Sequence, residues 1–338
     1  MNLNRVITTI DTHTAGEPTR IVTGGVPYIP GCSMQEKKRW MKEQEDTLRQ
    51  MLMREPRGHR DMFGAILTAP ASPDADMGLI YMDSSGYLDM CVHGSIGAVT
   101  AMFETGILKA TDDDLVSGRR EVILDTPAGK IHSFARFEKG RVKSVTIKNV
   151  PSFFYKSLSI TLNGIGELPV DVCYAGNYFA IMEASRVRLT VEQKNLEKLI
   201  QYGLAIREKV NQGLEVVHPE TGEEGRVNLV EFYEETSPPR NVVIFGSGQA
   251  DRSPCGTGTG AKMALLHFRN KLGVGQPYPY RSIIGTEFVG EILEEKIMCD
   301  RIGIIPTVTG RAHIIGFQEF VTDEEDPFKY GFDSLKSA

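Results

Sequence analysis

The chain has 338 residues, five cysteines and a formal net charge of −6, with 41% hydrophobic and 24% charged residues. These are ordinary globular values with room for two domains, and the acidic balance gives no reason to expect nucleic acid or an anionic membrane as partner. Cys32, Cys91, Cys173, Cys255 and Cys299 are scattered, odd in number and form no C-x-x-C, which argues against a disulfide framework or a zinc knuckle. Residues 1–10 lack the basic flank and apolar run of a leader, and no segment is apolar enough to span a bilayer, so a cytoplasmic protein is expected.

In chain order, residues 5–10 are apolar and β-branched and predict a strand. The polar stretch 11–18 then predicts a loop, and residues 20–23 a second strand. Ser33-Met34-Gln35-Glu36 has capping-box form, and Trp40, Met41, Leu48, Met51 and Leu52 recur at helical spacing, so one long helix over 34–54 is expected, stopped by Pro56. An apolar run at 65–67 and a strand candidate at 78–82 precede Tyr87-Leu88-Asp89-Met90-Cys91-Val92-His93-Gly94-Ser95, which leads into a helix over 96–104. From residue 120 the texture turns to strands: 121–125, 130–137 and 142–150, with period-2 alternation and a turn at Glu138-Lys139-Gly140-Arg141. Thr190-Val191-Glu192-Gln193 predicts a second capping box and a helix ending near Gly213. Strands at 226–234 and 241–245 run into a glycine-rich tract, and short strands continue to an acidic tail. Strands and helices are mixed rather than alternating, which favours α+β over a doubly wound sheet.

The glycine-rich tract is Asp251-Arg252-Ser253-Pro254-Cys255-Gly256-Thr257-Gly258-Thr259-Gly260, followed by the strong helix formers Ala261 to Leu266. It predicts a loop feeding a helix with Cys255 at the helix start, where unpaired N–H groups and the macrodipole lower a thiol pKa. Cys91-Val92-His93-Gly94-Ser95 repeats the pattern Cys-x-x-Gly-[Ser/Thr] about half a chain away. The economical reading is two similar domains, each presenting one cysteine at a helix N-terminus.

Several chemistries can use such a thiol. A Cys–His acyl-transfer centre needs only Cys91 and His93. A redox pair needs both thiols, and metal binding would want ligand spacings that are not evident. Proton transfer at a carbon stereocentre asks for the observed likeness, because an acid and a base on opposite faces exchange roles with the enantiomer. The glycines fit neither a Walker A loop nor G-x-G-x-x-G, so a carboxylate is a better guess than a phosphate for the anion at these helix ends.

These two segments, with the Asp11-Thr12-His13-Thr14-Ala15-Gly16-Glu17 start, Glu55-Pro56-Arg57-Gly58-His59 and the 323–327 acidic stretch, resemble the proline racemase family over essentially the whole chain. That family also holds hydroxyproline 2-epimerases and trans-3-hydroxyproline dehydratases. The resemblance implies a diaminopimelate-epimerase-like fold: two pseudo-symmetric domains, each a curled sheet around a central helix, with the site between them. It implies no pyridoxal phosphate or metal, a small-molecule substrate (proline or hydroxyproline) and a homodimer. An N-terminal domain over 1–127, with 317–338 returning to it, would carry Cys91, and a C-terminal domain over 128–316 would carry Cys255.

By the same resemblance, Cys91 and Cys255 are the acid–base pair, and His93 and Asp251 hold the substrate ammonium. Gly94, Ser95, Gly256 and Thr257 offer backbone donors to its carboxylate, and Phe63, Leu88 and Phe245 enclose its ring. The chain departs from the family pattern at Val92, where the family has glycine; valine cannot easily take positive φ. With Cys255 intact, where dehydratase relatives carry threonine, racemisation or epimerisation is expected. The apolar Phe63 and Phe245 favour proline over 4-hydroxyproline.

Overall fold

The computed structural model describes residues 3–299 and 301–332. It is α+β, with six α-helices among the described residues, none of them long and apolar enough to cross a membrane. The chain forms two compact units, one of residues up to 147 with those from 311 onward, the other of residues 148–310.

The first unit starts with β1 (Leu3–Thr14) and β2 (Glu17–Gly24), an antiparallel hairpin turning on Ala15 and Gly16, both at positive φ. The polar stretch expected as a loop is therefore strand, because Asp11 lies opposite Arg20 and takes its guanidinium at 2.8 Å within the sheet. Next come α1 (Met34–Gln44) and α2 (Asp46–Met53), which replace the single expected helix. Glu45, between them, leaves helical geometry at φ −135° and ψ 25°. The break lets α2 start afresh on Asp46 and aim the buried Arg49 at the Asp83 and Ser84 carbonyls.

Strands β3 (Phe63–Thr68), β4 (Met77–Asp83) and β5 (Tyr87–Leu88) precede the central helix α3 (Val92–Glu104) and the short α4 (Asp112–Ser117). Then β6 (Arg119–Thr126) and β7 (Gly129–Glu138) pair as the expected hairpin, and β8 (Arg141–Lys148) leaves the unit. The returning strand Ala312–Asp323 lies along β1 for its whole length. The ladder runs returning strand, β1, β2, β3, β4, β6, β7, and strands at both of its ends touch α3, so the sheet curls around that helix. Alternation divides the two faces of β4: Ile80 and Met82 pack with Met41, Leu48 and Leu52 of α1 and α2, while Tyr81 faces α3.

The second unit contains β9 (Ser152–Leu162), β10 (Gly166–Tyr174) and β11 (Tyr178–Glu183), three strands that the sequence reading passed over. The helix α5 (Leu196–Gly213) forms as expected, but its capping box does not: Asn195 stands at the cap, and its amide bonds Thr190 instead. A small ribbon of β12 (Val216–Val217) and β13 (Glu224–Gly225) leads to β14 (Val227–Glu234), β15 (Arg240–Phe245) and β16 (Gln249–Ala250). After the second central helix, α6 (Gly256–Phe268), come β17 (Tyr278–Ser282), β18 (Glu287–Met298) and β19 (Arg301–Gly310).

Pairing runs from β9 through β10, β11, β14, β15, β17, β18 and β19 and back to β9, so the strands close on themselves. Closure leaves α6 enclosed, and its first eleven residues, Gly256 to Leu266, are all buried. Along β15, Val242 and Ile244 pack outward on Leu199 and Ile206 of α5, while Val243 faces the inner core with Ala261 and Leu265.

The expected domain boundaries shift accordingly. A cut at 127 would fall in the β6–β7 turn, where Thr126 lies opposite Gly129, and a cut at 316 would split the strand paired with β1. The units divide instead at 147/148 and 310/311.

Candidate active site

Each central helix is 13 residues long and starts on a cysteine: Cys91 is the N-cap of α3, Cys255 that of α6. In both, the sulfur accepts the N–H of the glycine three residues on, Gly94 and Gly258, each at 3.3 Å. In both, the hydroxyl four residues on donates to the cysteine carbonyl, Ser95 at 2.7 Å and Thr259 at 2.8 Å. The shared Cys-x-x-Gly-[Ser/Thr] pattern is therefore a capping motif in which a thiol takes the place of the usual Ser or Asp oxygen. Its glycine is steric: a Cβ on Gly94 would lie 3.1 Å from Cys91 Sγ, and one on Gly258 would lie 2.7 Å from Glu231 Oε2.

The capping geometry redistributes the expected carboxylate donors. The N–H of Gly94 goes to Cys91 Sγ, and that of Ser95 opens the helix ladder to Cys91 O at 3.0 Å. A helix start turns the N–H groups of its first two residues outward. In α6 these are Gly256 and Thr257; in α3 they are Val92 and His93, because the N–H groups of Gly94 and Ser95 are taken by Cys91. Val92 sits in the first turn with helical backbone, so the glycine freedom it lacks is not needed there.

The second residue of each helix carries a polar group beside the sulfur. Cys91 Sγ lies 3.4 Å from His93 Nδ1 and 3.6 Å from Nε2, and Cys255 Sγ lies 3.6 Å from Thr257 Oγ1. A sulfur almost equally far from both ring nitrogens cannot be collinear with either N–H, which disfavours a directed Cys–His relay. His93 is held by Phe63, edge to face at 4.6 Å, and by Thr14, whose hydroxyl donates to its carbonyl at 2.8 Å. Leu88 lies opposite Tyr81 in the β4–β5 pair, and Phe245 ends β15 half-buried, opposite Gln249.

The proline racemase family matches residues 9–333. The chain belongs to the proline racemase family. It is 48% identical to the proline racemase of Clostridioides difficile over 98% of this chain and 99% of that one. It is 40% identical to a 4-hydroxyproline 2-epimerase of Streptosporangium roseum, over 98% and 99%. A hydroxyproline epimerase of Agrobacterium vitis, crystallised with trans-4-hydroxy-L-proline, superposes with a TM-score of 0.88 at 30% identity, covering 98% of this chain and 97% of that one.

In this proline racemase family member, Asp251 is a strongly perturbed acid four residues before Cys255. It is buried, its N–H bonds Val243 O at 2.9 Å, and its Oδ1 accepts the Ser253 N–H at 2.8 Å. Ser253 Oγ in turn accepts the N–H of Cys255 at 3.1 Å. Asp251 is thus a buried acid that ties the turn to the cysteine. Burial pushes its pKa up to about 6 although the Ser253 hydrogen bonds pull it down. Burial and the neighbouring Asp251 carboxylate push the Cys255 thiol well up, against the pull of Thr257 and the Gly258 N–H. The lowering expected from the helix end is thus outweighed at Cys255.

Sequence reasoning missed the supports behind these groups. Tyr81 OH lies 2.6 Å from Ser95 Oγ, Asn241 Nδ2 donates to Pro254 O at 2.8 Å, and Glu231 stands against Gly258. Only one signal was available: Glu231 is charged at an inward-facing strand position between the outward Val230 and Phe232. Among the described residues no group of three His, Cys, Asp or Glu is arranged to hold a metal ion.

Proposed function

We propose that the protein is a cofactor-independent isomerase that interconverts L- and D-proline by two-base proton transfer, with Cys91 and Cys255 on opposite faces of the α-carbon. The observation that carries this reading is the identical capping of two central helices by a thiol, with a polar group beside each sulfur at the second helical position. For one enantiomer Cys255 delivers its proton to the α-carbon while Cys91 takes the other; for the mirror substrate the roles reverse. One proton stays on the thiol pair throughout, so the pair titrates as a unit.

The substrate carboxylate meets the outward N–H groups of the two helix starts, which stabilise the extra charge it gains when the α-proton leaves. Asp251 and His93 receive the secondary ammonium. A buried carboxyl poised near neutrality becomes a full charge once a cation is beside it, so Asp251 suits that role. The fold in this reading is diaminopimelate-epimerase-like, and the working form is a homodimer, as light scattering would report.

The alternative within the family is 4-hydroxyproline 2-epimerisation, favoured by the epimerase relatives. Phe63, Leu88 and Phe245 are all apolar, so if they enclose the ring as proposed, a ring hydroxyl without a partner costs about 1–3 kcal/mol. The test is incubation of L-proline with the protein in D2O, following optical rotation and the α-proton signal. Decay of both supports the racemase. Far faster turnover of cis- or trans-4-hydroxyproline than of proline transfers the assignment to the epimerase.

A further inference from the structure

Behind the first turn of α6 lies a carboxyl group that the proposed reaction does not use. Glu231 is on β14, fully buried, at a position where strand alternation calls for an apolar residue. Its Oε1 accepts the Tyr280 hydroxyl at 2.5 Å, while Oε2 makes no well-aligned hydrogen bond and has only the Asn241 side chain as a polar neighbour that favours its charge. A buried carboxylate oxygen in that condition is costly unless it carries a proton. Oε2 is lodged so close to Gly258 that a Cβ there would stand 2.7 Å away. Gly258 is the residue whose N–H caps Cys255 Sγ. Glu231 and the thiol therefore meet at the same residue.

We propose that Glu231, clamped by Tyr280 against Gly258, is a positioning residue for Cys255: it fixes the first turn of α6 and, by holding or releasing a proton, sets how readily the sulfur releases its own. The titratable groups around it are Tyr278 and Tyr280 from β17, Lys262 and Cys255 from α6, and Cys173 from β10. Lys262 is itself buried, over the Tyr233 ring and paired with Glu235. Burial raises the Glu231 pKa to about 7, with Tyr280, Lys262 and Asn241 pulling the other way. The sign follows. Below that pH Glu231 is neutral and opposes the thiolate little; above it, the new negative charge holds Cys255 as a thiol. On the Cys91 side, a Cβ built on Gly94 would lie 3.5 Å from the ring edge of Tyr81. The role also accounts for the glycine at 258, since any side chain there would displace the carboxyl.

The inference rests on Cys255 acting as acid or base, and it is tested without turnover. Wild type and Glu231→Gln are alkylated with iodoacetamide across pH 6–10, and the modified Cys255 peptide is followed by mass spectrometry. Glutamine keeps the volume and an acceptor for Tyr280 while removing the charge. Cys255 in Glu231→Gln is expected to label faster at pH 8, by about threefold to tenfold, with its rate profile moved to lower pH. Tyr280→Phe, which withdraws the donor favouring the charged Glu231, moves the profile the same way by less and serves if the glutamine variant does not fold. Profiles identical to wild type in a folded variant overturn the proposal. A shifted profile in a protein that racemises nothing upholds it while removing the proposed function.

Discussion

The starts of α3 and α6 share a device and differ in what stands behind it. Both are capped by a cysteine through a glycine N–H at 3.3 Å and closed by a hydroxyl on the cysteine carbonyl. Yet Cys91 takes ordinary extended backbone, while Cys255 is at φ 58°, a left-handed conformation costing a non-glycine residue about 1–3 kcal/mol. Behind Gly94 lies the neutral Tyr81–Ser95 pair; behind Gly258 lies the ionisable Glu231–Tyr280 pair. The group beside the sulfur is a histidine at Cys91 and a threonine at Cys255. The geometry of capping is duplicated and the electrostatics are not.

The likeness breaks hardest if one thiol proves dispensable. Cys91→Ser and Cys255→Ser are each expected to lower proline racemisation by about 10³-fold or more, in both directions, by polarimetry and deuterium wash-in. A Cys255→Ser enzyme that keeps most of its activity would leave the Cys91–His93 acyl-transfer reading standing. Next in size is Asp251. Because its pKa is raised to about 6, its charge, and with it kcat/KM, should fall as the pH drops through that value. Asp251→Asn should lower kcat/KM about 30-fold or more, as for one partner of a buried charge pair, and abolish the acid limb. An unaltered limb would assign it to another group.

The difference between the two backings is sharpened by Gly258→Ala, whose methyl meets the clamped Glu231 carboxyl at 2.7 Å. Overpacking there should cost about 1–3 kcal/mol in urea unfolding. Gly94→Ala, whose methyl meets Cys91 Sγ at 3.1 Å and otherwise only ordinary contacts, should cost less. The smallest effect on turnover is expected from Val92→Gly. It should be nil, since the residue already has helical backbone, while stability falls by about 2 kcal/mol because a buried valine side chain is removed. A large gain in turnover would mean that the valine obstructs the site.

Reading the residues in order determined what depends on neighbours a few positions apart. A sulfur, a glycine N–H and a hydroxyl within five residues make a helix cap wherever the chain places it, so both cysteines and both helix starts were legible. The same holds for the hairpin of β6 and β7, whose alternation and turn are local. Other features answer to partners far away in the chain. The helix expected over 34–54 breaks at Glu45 because Arg49 must reach Asp83 and Ser84, and the 11–18 stretch is strand because Asp11 pairs with Arg20. Strands β9 to β11 gain their order from a ring of pairings that no single segment displays. Only the tertiary structure put Glu231 of β14 and Tyr280 of β17 behind a cysteine at the start of α6. It also reversed the direction expected for that thiol, because desolvation depends on everything packed around a group, whereas a helix end depends only on the helix.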